Sequence, residues 1–112
     1  MSQQHSQLPQ VAFSILLALS LKPRHGYEVM KQVGEDSNGK IKLGPGALYT
    51  SIKQLHEQGL IEEVTNDSDS RRRYYRLTDS GRERLGAELK YYQDVLHVAD
   101  ARQLLTFGGS HA

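Results

Sequence analysis

The chain has 112 residues, a formal net charge of +1 from 14 lysines and arginines against 13 aspartates and glutamates, and no cysteine. That length suits one domain with a modest core, of the size that often gains stability from a partner subunit. With a pI near 8.0 there is no bulk basic signature, so any nucleic-acid argument rests on where the cations lie, and the lack of cysteine removes disulfides, thiolate nucleophiles and thiolate metal sites together.

Residues 1 to 7 are polar and unpatterned, and a first helix is expected from Leu8 or Pro9 to Ser20. Val11, Phe13, Ile15, Leu16, Leu17, Leu19 and Leu21 leave it almost no polar face, so it needs cover on more than one side, from the rest of a monomer core or from a second subunit. The same run is broken by Ser14 and Ser20 and is far shorter than the roughly 20 residues of a membrane span. The flank before it has no lysine or arginine, which argues against a secretory signal, and the lack of cysteine is compatible with the reducing cytoplasm that is the expected location. Lys22 and Pro23 end this pattern. A second helix is expected from Gly26 to Val33 or Asp36, then a turn at Asn38-Gly39 and a small strand at Ile41 to Leu43.

The most informative stretch is LGPGALYTSIKQLHEQGLI, Leu43 to Ile61. Pro45 suits the first helical position and Gly59 the left-handed residue after the last turn, which bounds a helix from Pro45 to Gln58. Leu48, Ile52 and Leu55 fall on one side and Thr50, Lys53 and Glu57 opposite, with Gly46 beside them and Tyr49 on the flank. Gly44 is a weak cap. A hairpin follows, with Leu60, Ile61 and Val64 in one strand, a polar turn from Thr65 to Ser70, and RRRYYRL at Arg71 to Leu77. Alternation in that second strand groups Arg73, Tyr75 and Leu77 against Tyr74 and Arg76.

A last helix starts at Thr78-Asp79, or at Ser80 with Glu83 as a capping box. Leu85, Leu89, Tyr92, Leu96, Ala99 and Gln103 recur at coiled-coil spacing, widened by Val95 and Val98, and Gly108-Gly109 ends the helix. Such a stripe is read as a dimerisation element, the alternative being that the helix folds back on its own domain. The fold class is therefore α+β, mainly α, with a winged helix-turn-helix over residues 8–78 and a long C-terminal dimerisation helix over 79–107.

Four pieces of the chain, ILLALS, HGYEVMKQV, PGALYTSIKQLHEQGLI and RRRYYRLTDSGRERL, in that order and with short spacers, resemble the PadR-like transcriptional regulators. The resemblance covers Ile15 to Leu85. It implies a bacterial, dimeric winged-helix DNA-binding protein, usually a repressor, which pairs through its first and last helices on an inverted-repeat operator. The candidate dimer contacts are Phe13, Leu85, Leu89, Tyr92 and Leu96. The class includes sensors of phenolic acids and flat hydrophobic drugs, for which Phe13, Tyr91, Tyr92 and Leu96 are the candidate pocket, with core packing as the competing role.

In a helix-turn-helix the second helix of the motif meets base edges while neighbouring elements grip phosphates. Gly46, Tyr49, Thr50 and Lys53 are then the reading set, joined by Tyr27, unless the two tyrosines only pack the second helix on the third. Arg71, Arg72 and Arg73 would lie along the backbone or in the minor groove, with Asp67 and Asp69 weakening their field. The competing function is a winged-helix protein-interaction module whose arginines meet an acidic partner. An enzyme, a cofactor and a metal site are not expected. The five histidines are scattered, His56-Glu57 lacks a second zinc-binding histidine, Gly44-x-Gly46 lacks a third glycine, and Asp67-Ser68-Asp69 lacks the rest of a calcium loop.

Overall fold

The structure is a computed structural model that describes residues 7–65, 68 and 71–105. The chain order is α1 (Gln10–Ala18), β1 (Arg24–His25), α2 (Gly26–Asp36), α3 (Pro45–Glu57), β2 (Ile61–Val64), β3 (Tyr74–Leu77) and α4 (Asp79–Ala101). Three antiparallel strands in the order β1-β3-β2 form the small sheet of a winged helix-turn-helix.

The apolar first helix becomes the centre of the core. Ile15, Leu16, Ala18 and Leu19 are buried, and α2, α3 and α4 of the same chain all pack on α1. Cover from a second subunit is thus not required for most of it, although Phe13 and Leu17 remain half-buried and Leu21 is exposed. Val29 and Val33 of α2 and Leu48, Ile52 and Leu55 of α3 complete the core in the spacing expected of them. The end of α1 is capped from outside, where Arg24 Nε donates to the Ala18 carbonyl at 2.7 Å.

Two expectations about strands fail together. Ile41 to Leu43 is irregular chain, with Ile41 and Leu43 half-buried against the core, and the third strand is Arg24–His25 instead. β3 is the middle strand. Glu62 and Arg76 face each other on its β2 side and His25 and Tyr74 on its β1 side, so neither of its edges is left for Ile41 to Leu43. A strand of two residues has no alternation to read.

The junction of α3, the sheet and α4 is held by a few backbone-directed contacts. Gly59 turns the chain at φ +76. Thr78 caps α4 by accepting from the Gly81 N–H at 3.0 Å, donates its hydroxyl to the Gly59 carbonyl at 2.6 Å, and sends its own N–H to the Leu60 carbonyl at 3.1 Å. The alternative start at Ser80 is not used. Gly81 lies directly against the Leu60 carbonyl, where a Cβ would overlap the oxygen.

From there α4 runs 23 residues, about 35 Å at 1.5 Å per residue. Only its first part is sunk in the core. Leu85 is 5% exposed and belongs to the core of its own chain, so it is not available to the dimer seam expected of it. It stands two turns after the cap and one turn after Gly81, the residue that lies against Leu60. The helix also stops short of the expected Leu105 to Phe107. Gln103 adopts φ +61, its N–H goes to the Asp100 carbonyl, and the Leu104 N–H goes to the Ala99 carbonyl, which is a Schellman ending. Gln103 therefore leaves the seam, and Gly108-Gly109 lies outside the described residues. Among the described residues no helix is long and apolar enough to cross a membrane.

Two glycines of α4 should separate packing from propensity. Gly81→Ala is expected to lower the unfolding free energy by about 2 to 3 kcal/mol, because the obstacle is backbone. Gly86→Ala, with open space around it, is expected to raise it by about 0.5 to 1 kcal/mol. Urea unfolding of both variants checks the pair.

Candidate nucleic-acid interface

The start of α2 sets the first wall of the site. His25 is its N-cap and forms a capping box with Glu28. The His25 N–H donates to Glu28 Oε1 at 3.1 Å, and the Glu28 N–H faces His25 Nδ1 at 3.4 Å. The next residue, Gly26, leaves room for the Tyr49 hydroxyl, which occupies the space that a Cβ would need. α3 is thereby seated on the beginning of α2 by one aromatic side chain.

That contact decides the role of the tyrosine bodies without hiding them. Tyr49 packs over Gly26 and is 50% exposed, while Tyr27 is 67% exposed and stacks loosely on His25 at 6.5 Å between centroids. Both therefore pack and face outward at once. The hairpin supplies the other wall. Tyr27, Tyr49, Arg71, Arg72 and Arg73 line one cleft of about 650 Å³, with His25, Gly26 and Tyr75 at its floor.

Gly46, Thr50 and Lys53 lie on the exposed face of α3 and do not line the cleft. Lys53 is one helical turn beyond Tyr49, so the two share an edge of the helix. α3 begins with Pro45 after Gly44, which offers no side-chain cap, as expected of it.

Charge on the hairpin is partly balanced by residues that the sequence reading passed over. Arg76 Nε bonds Glu62 Oε2 at 2.7 Å, and Arg73 Nε lies 4.0 Å from Glu63 Oε2. The strand register places both pairs across the ladder or diagonal to it, whereas the acidic residues singled out from sequence, Asp67 and Asp69, lie outside the described residues. Arg72 meets His25, with Nη1 2.7 Å from Nε2. His25 was also missed from sequence. The signal was the glutamate three residues on, the same spacing that marked Ser80 and Glu83.

Within the cleft, burial pushes the Tyr75 phenol above its ordinary pKa, Glu63 and Tyr49 act in the same direction, and Arg73 opposes them. The remaining candidates lie on α1 and α4 and do not line the cleft. Phe13 meets Tyr92 edge-on at 5.2 Å, and Tyr92 meets Tyr91 at 5.5 Å. Leu89, Tyr91, Tyr92, Val95, Leu96 and Val98 stay exposed along α4.

Residues 15–87 match the model of the transcriptional regulator PadR-like family. The chain belongs to that family. It is 32% identical over 90 residues to the uncharacterized protein X of Lysinibacillus sphaericus, covering 78% of this chain and 83% of that one. A PadR family transcription regulator from Clostridium difficile superposes with a TM-score of 0.71 at 24% identity, covering 85% and 99% of the two chains. Bacillus subtilis PadR in complex with operator DNA gives a TM-score of 0.64 at 24% identity over 72% and 47%. This PadR-like chain is thus a member of a regulator family and not of an enzyme family. The matched region ends at Ala87, next to Glu88, the last buried residue of α4.

A raised phenol pKa makes stability depend on pH. The unfolded chain loses the Tyr75 proton near the ordinary value of 10.0 and the folded chain only above it, so this contribution is present below pH 10 and is lost as pH rises through the folded value. Urea unfolding from about pH 8 to pH 11 should show a steeper alkaline loss for the wild type than for Tyr75→Phe.

Proposed function

We propose that this PadR-like chain is a dimeric, sequence-specific DNA-binding regulator, a repressor, that acts in the bacterial cytoplasm on an inverted-repeat operator. The observation that carries the reading is the shared cleft, in which Tyr49 of α3 and three consecutive arginines of the hairpin face the same space. A helix in the major groove with an arginine hairpin beside it divides labour as such motifs do. Gly46, Thr50 and Lys53 meet base edges, while Tyr27, Tyr49 and Arg71 to Arg73 bind phosphates and the minor groove. The operator complex of the Bacillus subtilis relative supports DNA as the ligand. Because Glu62 and Glu63 offset part of the wing charge, affinity for arbitrary duplex is modest and the regulator relies on two half-sites.

The second half-site comes from a second copy, paired through the exposed stripe Leu89, Tyr92 and Leu96 together with Phe13. A small aromatic or hydrophobic effector would sit among Phe13, Tyr91, Tyr92 and Leu96 and release the operator by changing the spacing of the two copies.

Selection of bound fragments from the source genome, followed by competition with excess nonspecific duplex, tests the reading. Retention of particular fragments supports it, and equal loss on every duplex favours an interaction module instead. On a selected fragment, Arg72→Ala should weaken binding to all sequences and lower the salt slope by about one contact, whereas Lys53→Ala should shift base preference by about 1 to 3 kcal/mol. Leu96→Asp should sediment as a monomer, since pairing would bury an unpaired charge in an apolar seam.

A further inference from the structure

The His25 ring faces two donors and has one acceptor to give. Arg72 Nη1 stands 2.7 Å from Nε2, and the Glu28 N–H stands 3.4 Å from Nδ1. A guanidinium only donates, and a neutral imidazole carries its proton on one of its two nitrogens, so the ring accepts from one of these groups at a time. The distances rank them. At 2.7 Å the arginine contact is a short charge-assisted bond, while 3.4 Å is at the far end of hydrogen bonding. The neutral ring that fits is protonated on Nδ1 and offers Nε2 to Arg72. The cap of α2 then depends on the other half of the box, the His25 N–H on Glu28 Oε1 at 3.1 Å.

The two partners differ in how they are held. His25 is 8% exposed, its backbone is paired with Tyr74 in the sheet, and its ring meets Tyr74 edge-on at 5.3 Å. Arg72 is an exposed wing residue on the rim of the cleft. The buried member therefore places the exposed one. We infer that His25 is a positioning residue for Arg72, fixing its guanidinium inside the cleft before DNA arrives, so that the ordering of a long side chain is not left to the binding step.

The functional consequence rests on the DNA-binding reading, and the test keeps the two apart. Binding of a selected duplex is measured for wild type, His25→Gln and His25→Asn, with thermal unfolding as a check on folding. Glutamine reaches the Nε2 position with a carbonyl that accepts, whereas asparagine is the better helix cap and is too short. His25→Asn should bind about tenfold more weakly than the wild type, and His25→Gln should match it. A purely structural cap gives the opposite order, with asparagine normal and glutamine weak, and that result overturns the assignment. Ring nitrogen NMR shifts of the free protein provide an arm without DNA. They should show the Nδ1–H tautomer in the wild type and a move toward Nε2–H in Arg72→Ala, and an Nε2–H ring in the wild type overturns the assignment. If no duplex binds, the regulator reading fails, and the NMR arm still decides the contact.

Discussion

Everything that could touch a ligand hangs from the crossing of Gly59, Leu60, Thr78 and Gly81. There one hydroxyl caps α4 and donates to the end of α3, one N–H closes on the Leu60 carbonyl, and one missing side chain lets two backbones meet. The end of α3, the base of the hairpin and the start of α4 are therefore a single rigid joint. A wing is useful only if its tip keeps a constant place relative to the helix before it, and this joint supplies that constancy from the base.

A second constraint acts at the other end of the hairpin. β1 is only Arg24–His25, yet it closes the far edge of β3, caps α2 through its last residue and ties the end of α1 through its first. Two residues thus connect three elements. Tyr49 against Gly26 adds the fourth, since it seats α3 on the same point of α2. The cleft is the space enclosed by these ties, and its arginines stand on a scaffold that cannot shift one wall without the other.

α4 divides into two parts with different obligations. Up to Glu88 it completes the core, with Leu85 inside and Glu88 accepting from the Leu8 N–H at 3.3 Å. Beyond it, Leu89, Tyr92, Val95, Leu96 and Val98 are exposed in succession on a helix that leaves its own domain, a pattern a single small chain does not need for its own stability. The family match ends at the same boundary.

Periodicity and end signals by themselves determined most of the elements. Pro45 and Gly59 bracketed α3, the Leu48, Ile52 and Leu55 seam chose its buried face, Thr78 capped α4, and the consecutive arginines marked one wall of the candidate site. These are local properties, set by φ preferences and by the 3.6-residue repeat. What required the folded chain was every relation across distance. Strand status passed from Ile41 to Leu43 to Arg24 and His25, because strand pairing depends on which edge of β3 is open. Leu85 passed from a seam between copies to the core, because its surroundings depend on how the start of α4 meets the rest of the chain. His25 and Glu63 entered the site because their partners are far along the chain, or across a register that spacing alone does not reveal.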